Sequence, residues 1–330
     1  MNKKSNLLRG FVLTLFGLAI AVFLLRQIDP RTFLQLIREI KPVWLILAFL
    51  MYLFTYYLRA IRWKLMLLSK RVHLGSLFYI TSAHTMLMHL MPVRSGELSY
   101  IYFLKKHLAI NSKESFATLF LARILDLACL GGFFVMSLFM LWHQIHAPVL
   151  RMMMITVIFL PLLITALFSA SSRTGIAKIK SVLEKWGLLR FHIVLRIIEW
   201  LTEFGHTFDM LKKSGRLIYY VCLSILIWGI KFLSFFYILR SFGFPDGISL
   251  WATVFGTTFT EVTAILPIHG LAGLGTIEGG WTVGFLLLGL PKDFVIASGF
   301  SFHLILLLFA SVLGCIGLFQ LWKTGSSLPS

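Results

Sequence analysis

Negative charge is scarce in this sequence. Its 330 residues include 13 Asp+Glu, and only 13% are charged against 58% hydrophobic. A soluble domain carries about 25% charged residues, so the shortage argues against one. An aromatic content of 15% excludes a disordered chain. Cysteine is sparse too. Cys129, Cys222 and Cys315 are far apart and each sits inside an apolar run, which excludes a clustered metal or redox site and marks them as small core hydrophobes. No Lys/Arg block forms a basic arm, so the net charge of +18 does not point to nucleic acid. His84, His89 and His269 have no Glu at zinc-protease spacing, and no nucleophile set stands out. The expectation is a protein that is not an enzyme and needs neither metal nor cofactor.

Long apolar runs are what the chain has in abundance. Residues 7–25, 43–58, 115–142, 152–169 (with Pro161 as a kink), 217–239 and 294–322 read as transmembrane helices, since about 20 apolar residues cross a bilayer. Lys3, Lys4 and Arg9 ahead of the first run imitate a signal peptide, as does Ala19-Ile20-Ala21. That triplet lies inside the run, however, so an uncleaved first span is expected. The second run leads into Arg59-Ala60-Ile61-Arg62-Trp63-Lys64, whose Trp and cations suit a membrane–water interface.

Two other segments are broken. Residues 75–91 are apolar, then come Pro92 and Val93-Arg94-Ser95-Gly96-Glu97, and 98–104 resume. Residues 250–266 are apolar apart from Glu261 and hydroxyls, then come Pro267, Gly273, Gly275 and Glu278, and 281–290 resume. Irregular backbone at membrane depth must be buried in protein or line a wet cavity, so both segments read as re-entrant hairpins. Residues 173–216 are polar, with Ile176, Ile179, Leu183, Leu195, Ile198 and Leu201 at helical spacing. They read as a cytoplasmic amphipathic segment. The expected fold is an all-α polytopic membrane protein, one integral membrane domain over 1–330. It has six full transmembrane helices and two re-entrant hairpins, about 75–104 and 250–290, that form a candidate inverted repeat.

With both termini in the cytoplasm, 21 of the 31 Lys+Arg fall on inside segments and 7 on outside ones. Most of the charge thus sets orientation in an inner membrane. Arg94, Glu97, Arg123, Asp126, Lys231, Glu261 and Glu278 remain at membrane depth, three positive against four negative. Intramembrane charges are functional candidates. Arg123 and Asp126 are three apart and share a helix face, and Glu261 is a candidate partner for Lys231. Pro92, Gly96, Pro267, Gly273 and Gly275 are the candidate hinge positions.

Four stretches in order (Arg59-x-x-Arg62-Trp63, Pro92-x-Arg94-x-Gly96-Glu97, Arg123-x-x-Asp126, and Pro267 with Gly273-Leu274-Gly275-x-x-Glu278) resemble the membrane part of lysylphosphatidylglycerol synthase, the multiple peptide resistance factor, and its stand-alone flippase-like relatives. The sequence departs from the family pattern at His89, Tyr100 and His269-Gly270. The resemblance implies a lipid-translocating unit without the family's aminoacyltransferase domain. It implies flipping of a lipid with a charged headgroup, such as a phospholipid or a polyprenyl-phosphate-linked lipid. On this reading Arg94 and Arg123 hold a phosphate. Glu97 and Glu278 neutralise those arginines or bind an amine or hydroxyl. Membrane lipids are the expected partners, with a cell-envelope lipid-modifying enzyme or glycosyltransferase as a further candidate. The alternatives are a secondary transporter of a small soluble solute and a non-catalytic membrane partner of such a glycosyltransferase.

Overall fold

The computed structural model describes residues 38–68, 72–143, 173–187, 215–243, 248–265 and 270–325, with isolated positions in 19–26 and 190–213. Every regular element among them is helical. In chain order they are α1 (Pro42–Met66), α2 (Leu74–Leu90), a 3-10 turn (Pro92–Glu97), α3 (Leu98–Leu108), α4 (Ser112–Met140), α5 (Arg173–Lys185), α6 (Leu217–Ser241), α7 (Leu250–Ile265), a second 3-10 turn (Leu271–Gly273), α8 (Thr276–Leu286) and α9 (Lys292–Gly325). Local chemistry sets the boundaries. Pro42 opens α1, where a missing N–H costs nothing. Pro92 ends α2 by forcing Met91 into extended backbone. Asn111 caps α4 by accepting the Lys113 N–H at 3.0 Å.

Among the described residues, four helices are long and apolar enough to cross a membrane: α1, α4, α6 and Lys292–Lys323 of α9. They coincide with the runs 43–58, 115–142, 217–239 and 294–322. The run 152–169 with Pro161, nearly all of 7–25, and Pro267 and His269 lie outside the described residues. The surfaces of the long helices are apolar. Val43, Ile46, Leu50, Phe54 and Tyr57 form an exposed stripe on α1, and Leu304, Leu308, Val312, Ile316 and Phe319 form another on α9. Thr55, Arg62, Thr81, Ser82, His84 and Asp126 are buried instead. Apolar side chains out and polar ones in is the arrangement lipid demands and water forbids.

Both broken segments fold back on themselves. At Gly96 a β-carbon would overlap the Leu87 backbone, so the first 3-10 turn lies against the end of α2, and only glycine permits that approach. His84 of α2 then reaches Ser99 of α3, Nδ1 to Oγ 3.0 Å. In the second segment α7 and α8 run antiparallel through small residues. A β-carbon on Gly284 would overlap the Gly256 backbone, and one on Gly280 would lie 2.6 Å from Thr263 Oγ1. Without water to drive association, close approach of small residues is a main source of helix packing in lipid. At 1.5 Å per residue the arms are about 25, 16, 24 and 16 Å long, each short of a 30 Å bilayer core.

The long helices pack antiparallel as well. Along α1 and α6, the Ser234 hydroxyl donates to Ala48 O at 2.8 Å and the Tyr220 hydroxyl to Leu65 O at 3.0 Å. Gly314 and Gly317 of α9 press on Met86 and Tyr79 of α2. Two large apolar cores and smaller clusters around Phe134 with Phe255 and around Leu58 with Ile227 result among the described residues. One large core holds Trp63, Leu77, Tyr100 and Leu121, and the other holds Tyr52, Phe235, Trp281 and Phe302. Helix α1 joins both and turns Thr55 and Arg59 toward a cavity between its two buried ends.

Several expectations need correction. Helix α1 continues through Arg59 and Arg62 to Met66, and it buries Arg62 at 1% exposure, so Arg62 packs inside the protein. The 92–97 break is a 3-10 turn interrupted by left-handed backbone at Arg94, φ 53. Helix α8 begins at Thr276 rather than near 281, which places Glu278 in its first turn, where the carboxylate accepts the Gly275 N–H at 2.7 Å. Cys129 is buried as expected, whereas Cys222 and Cys315 are exposed on their helices. In α5, Ile176 is buried but Ile179 is 40% exposed.

Candidate functional site

A cavity of about 230 Å³ opens among α1, α2, α4, α6, α7, α8, α9 and both 3-10 turns. The two broken segments meet at its edge. Arg94 Nη1 donates to Ile265 O at 2.8 Å, satisfying a carbonyl at the end of α7 that has no partner within the helix. Arg94 does this from left-handed backbone, φ 53, a conformation that a non-glycine residue holds only where the surroundings enforce it.

Glu97 is the shared counter-charge of two arginines. Its Oε1 lies 2.8 Å from Arg94 Nη2 and 3.2 Å from Arg123 Nε. Those arginines also turn the same way. Arg94 Nη2 is 3.8 Å and Arg123 Nη2 3.2 Å from Met88 Sδ. A thioether is a weak acceptor for a guanidinium, so two strong donors converge on a point that holds no strong acceptor. Arg59 lines the same cavity with its Nε buried and unpartnered, and among the described residues no carboxylate pairs with it.

Asp126 works deeper, at 5% exposure. Its carboxylate takes Arg62 Nη1 at 2.7 Å and Nη2 at 3.3 Å, Trp228 Nε1 at 3.2 Å and Arg123 Nη1 at 3.4 Å. Arg62 Nη1 donates in addition to Ser224 Oγ at 2.8 Å. One carboxylate therefore ties α1, α4 and α6 together. The expected Arg123–Asp126 contact is present, but Arg62 is the closer partner.

Lys231 meets Glu261 at 2.7 Å, Nζ to Oε2, and lies over the Trp228 ring at 4.6 Å. Glu278 is 1% exposed and bonds neither Arg94 nor Arg123. Its Oε2 takes the Gly275 N–H, and its Oε1 lies 2.7 Å from His303 Nδ1. Gly275 holds φ 81, and Gly273, on the cavity wall, holds φ 70. Both conformations favour glycine. His89 bonds Thr85 O at 2.8 Å.

The sequence candidates thus form three groups: Arg94, Glu97, Arg123 and Asp126 in one network, Lys231 with Glu261 in a second, and Glu278 apart in a third. Four participants are not among the sequence candidates: Arg59, Met88 and His303 on the cavity wall, and Arg62 on Asp126. An ionisable residue in the middle of an apolar run is itself a signal, and His303 satisfied it. Arg59 and Arg62 were masked by Trp63 and Lys64, which make the stretch look interfacial. Nothing in the sequence distinguishes Met88 from any other core methionine.

The family described as lysylphosphatidylglycerol synthase TM region matches residues 8–314 of the chain. No curated protein and no solved structure matches it.

Proposed function

The chain belongs to the family of the lysylphosphatidylglycerol synthase transmembrane region, and from that premise we propose that it moves a lipid with a phosphoryl headgroup between the leaflets of a bacterial cytoplasmic membrane. The observation that carries this reading is the aim of Arg94 and Arg123 at Met88 Sδ. Guanidinium forks match phosphate oxygens, and here two forks, with Arg59 beside them, have fewer strong acceptors than donors. A phosphoryl oxygen near the thioether supplies what is missing. Glu97 holds the two arginines together while the site is empty. No bond is made or broken; the protein acts as a carrier and not as an enzyme.

A lipid is favoured over a small soluble solute by the rim. Met91 and Ile265 line the cavity while 42% and 37% exposed, and Leu98, Val262 and Leu271 are exposed apolar residues of the same two broken segments. Acyl chains can lie on these residues while the headgroup sits on the arginines.

Rocking of two inverted halves would alternate access to the site. Support comes from how the elements pair. Exchanging α1 with α6, the α2–α3 hairpin with α7–α8, and α4 with α9 turns one set of neighbours into the other. For example, α2 packs on α9 and α7 packs on α4. Because α1 and α6 are antiparallel, the axis relating the halves lies across the helices and, for membrane-spanning helices, in the membrane plane.

The test is a leaflet-resolved assay in proteoliposomes with labelled phosphatidylglycerol and labelled polyprenyl phosphate. Each charge-assisted hydrogen bond lost is worth about 1.5–3 kcal/mol, so Arg123→Gln should slow transfer at least about tenfold. An unchanged rate in the Arg94→Gln/Arg123→Gln double variant would remove the site assignment. A wild type that transfers neither lipid would remove the function.

A further inference from the structure

Glu278 and His303 form a titratable pair that the guanidinium network does not use, with His303 on the cavity wall. Both are 1% exposed. Glu278 sits in the first turn of α8 with both oxygens engaged, one by the Gly275 N–H and the other by His303 Nδ1, each at 2.7 Å. A carboxylate only accepts, so Nδ1 carries the proton and donates it. In neutral imidazole that tautomer leaves Nε2 a bare acceptor. His303 Nε2 is buried, has no partner and belongs to a residue of the cavity wall. A buried polar atom without a partner calls for a ligand.

We infer that His303, held by Glu278, is a proton-binding site coupled to occupation of the arginine site by a tetrahedral oxyanion. This rests on the function proposed above. The proton arrives through the cavity from water and binds Nε2, while Nδ1–H stays on Glu278. The imidazole goes from neutral to +1 beside a carboxylate already oriented to balance it. Nε2 changes from an unsatisfied acceptor to a donor, on a residue of the cavity wall.

The surrounding charges set the sign of the coupling. The cavity wall presents Arg59 from α1, His89 from α2, Arg94 from the first 3-10 turn, Arg123 with Asp126 from α4, and Lys231 with Glu261 from α6 and α7. Asp126 is shared by Arg62 and Arg123, Glu97 by Arg94 and Arg123, and Glu261 serves Lys231. Arg59 is left over, so the empty cavity is cationic and opposes a further positive charge on His303. An oxyanion on the arginines removes that opposition. By reciprocity the proton then strengthens anion binding by the same factor. Anion and proton enter together, and a proton gradient can bias the direction of transfer.

The experiment uses the full chain in detergent and isothermal titration calorimetry at pH 7 in two buffers of different ionisation enthalpy. Sulfate and dihexanoyl phosphatidylglycerol are the probes, because neither titrates between pH 5 and 8. Expected is uptake of a substantial fraction of one proton per anion bound, with affinity rising up to about tenfold per unit fall in pH. In His303→Gln the uptake and the pH dependence should vanish while binding persists. Glu278→Gln, which keeps an acceptor for the Gly275 N–H, should reduce both. Binding without proton uptake in the wild type, or uptake that survives in His303→Gln, would overturn the proton site and leave the arginine site standing. Uptake with both probes supports coupling to a lipid, and uptake with sulfate alone supports coupling to a free oxyanion. A wild type that binds neither probe would overturn the arginine site and the coupling together.

Discussion

Asp126 is where structural and functional roles of a buried charge can be separated by measurement. Its carboxylate meets Arg62 at 2.7 Å. With the charge centres near 4 Å, an effective dielectric of 20 gives an attraction of about 4 kcal/mol. The two single deletions differ in what they strand. Arg62→Ala leaves Asp126 with Arg123 and Trp228, so the anion keeps a cation and a donor. Asp126→Ala leaves Arg62, at 1% exposure, with the neutral Ser224 hydroxyl and the Trp63 ring at 5.6 Å and no counter-charge. Stranding a buried charge costs about 3–5 kcal/mol, so Asp126→Ala should reach that range, with Arg62→Ala lower at about 2–3 kcal/mol because of the partners that remain. The Arg62→Ala/Asp126→Ala double variant removes both charges and should fall short of the sum by about 1–3 kcal/mol. The assay is SDS titration of purified protein in micelles, followed by tryptophan fluorescence. Additivity within about 0.5 kcal/mol would refute the coupling. So would equal losses for the two single variants, since the asymmetry follows directly from the unequal partner sets.

Three further outcomes are expected. Gly284→Ala drives a β-carbon into the Gly256 backbone and should cost about 1–3 kcal/mol, seen as a lower midpoint in the same titration, while alanine at exposed Gly132, with open space around it, should not. Arg94 has φ 53, so Arg94→Gly should be about 1 kcal/mol more stable than Arg94→Ala, although both lose the guanidinium and both should bind sulfate more weakly by calorimetry. Glu261→Gln strands Lys231, which is 14% exposed, and should destabilise by at least about 1 kcal/mol, whereas Lys231→Met/Glu261→Leu should fall within about 1 kcal/mol of the wild type. Normal lipid transfer by that double variant would mark the pair as a packing device, and lost transfer at normal stability would mark it as part of the carrier.

The elements legible from sequence are those governed by one-dimensional signals. Helices α1, α4, α6 and α9 follow from apolar length, and the C-terminal end of α2 and the position of the first turn follow from Pro92 and Gly96. The failures share a cause: they concern residues whose roles depend on partners distant in sequence. Arg62 meets Asp126 across 64 positions, and His303 meets Glu278 across 25. The apolar run starts at Trp281, whereas α8 starts at Thr276, set by Gly275 and the Glu278 carboxylate. A capping interaction outweighs hydropathy at a helix end because orphan N–H groups in a buried site must be satisfied.

The corrected charges change the character of the interior. The seven sequence candidates nearly balance, three positive against four negative, which would describe a closed, self-neutralised network. Adding Arg59 and Arg62 makes five cations against four carboxylates. The carboxylates are also unevenly placed. Glu97, Asp126 and Glu261 serve the guanidinium and ammonium groups, whereas Glu278 is turned away to His303. The two broken segments, similar in their Pro, Gly and Glu, therefore put their glutamates to different uses: Glu97 holds arginines in register, and Glu278 orients an imidazole. A site built from two matching halves would bind the same chemistry twice. One in which the halves have diverged can hold an oxyanion on one side and a proton on the other, and that asymmetry is what coupled transport through a pseudo-symmetric scaffold requires.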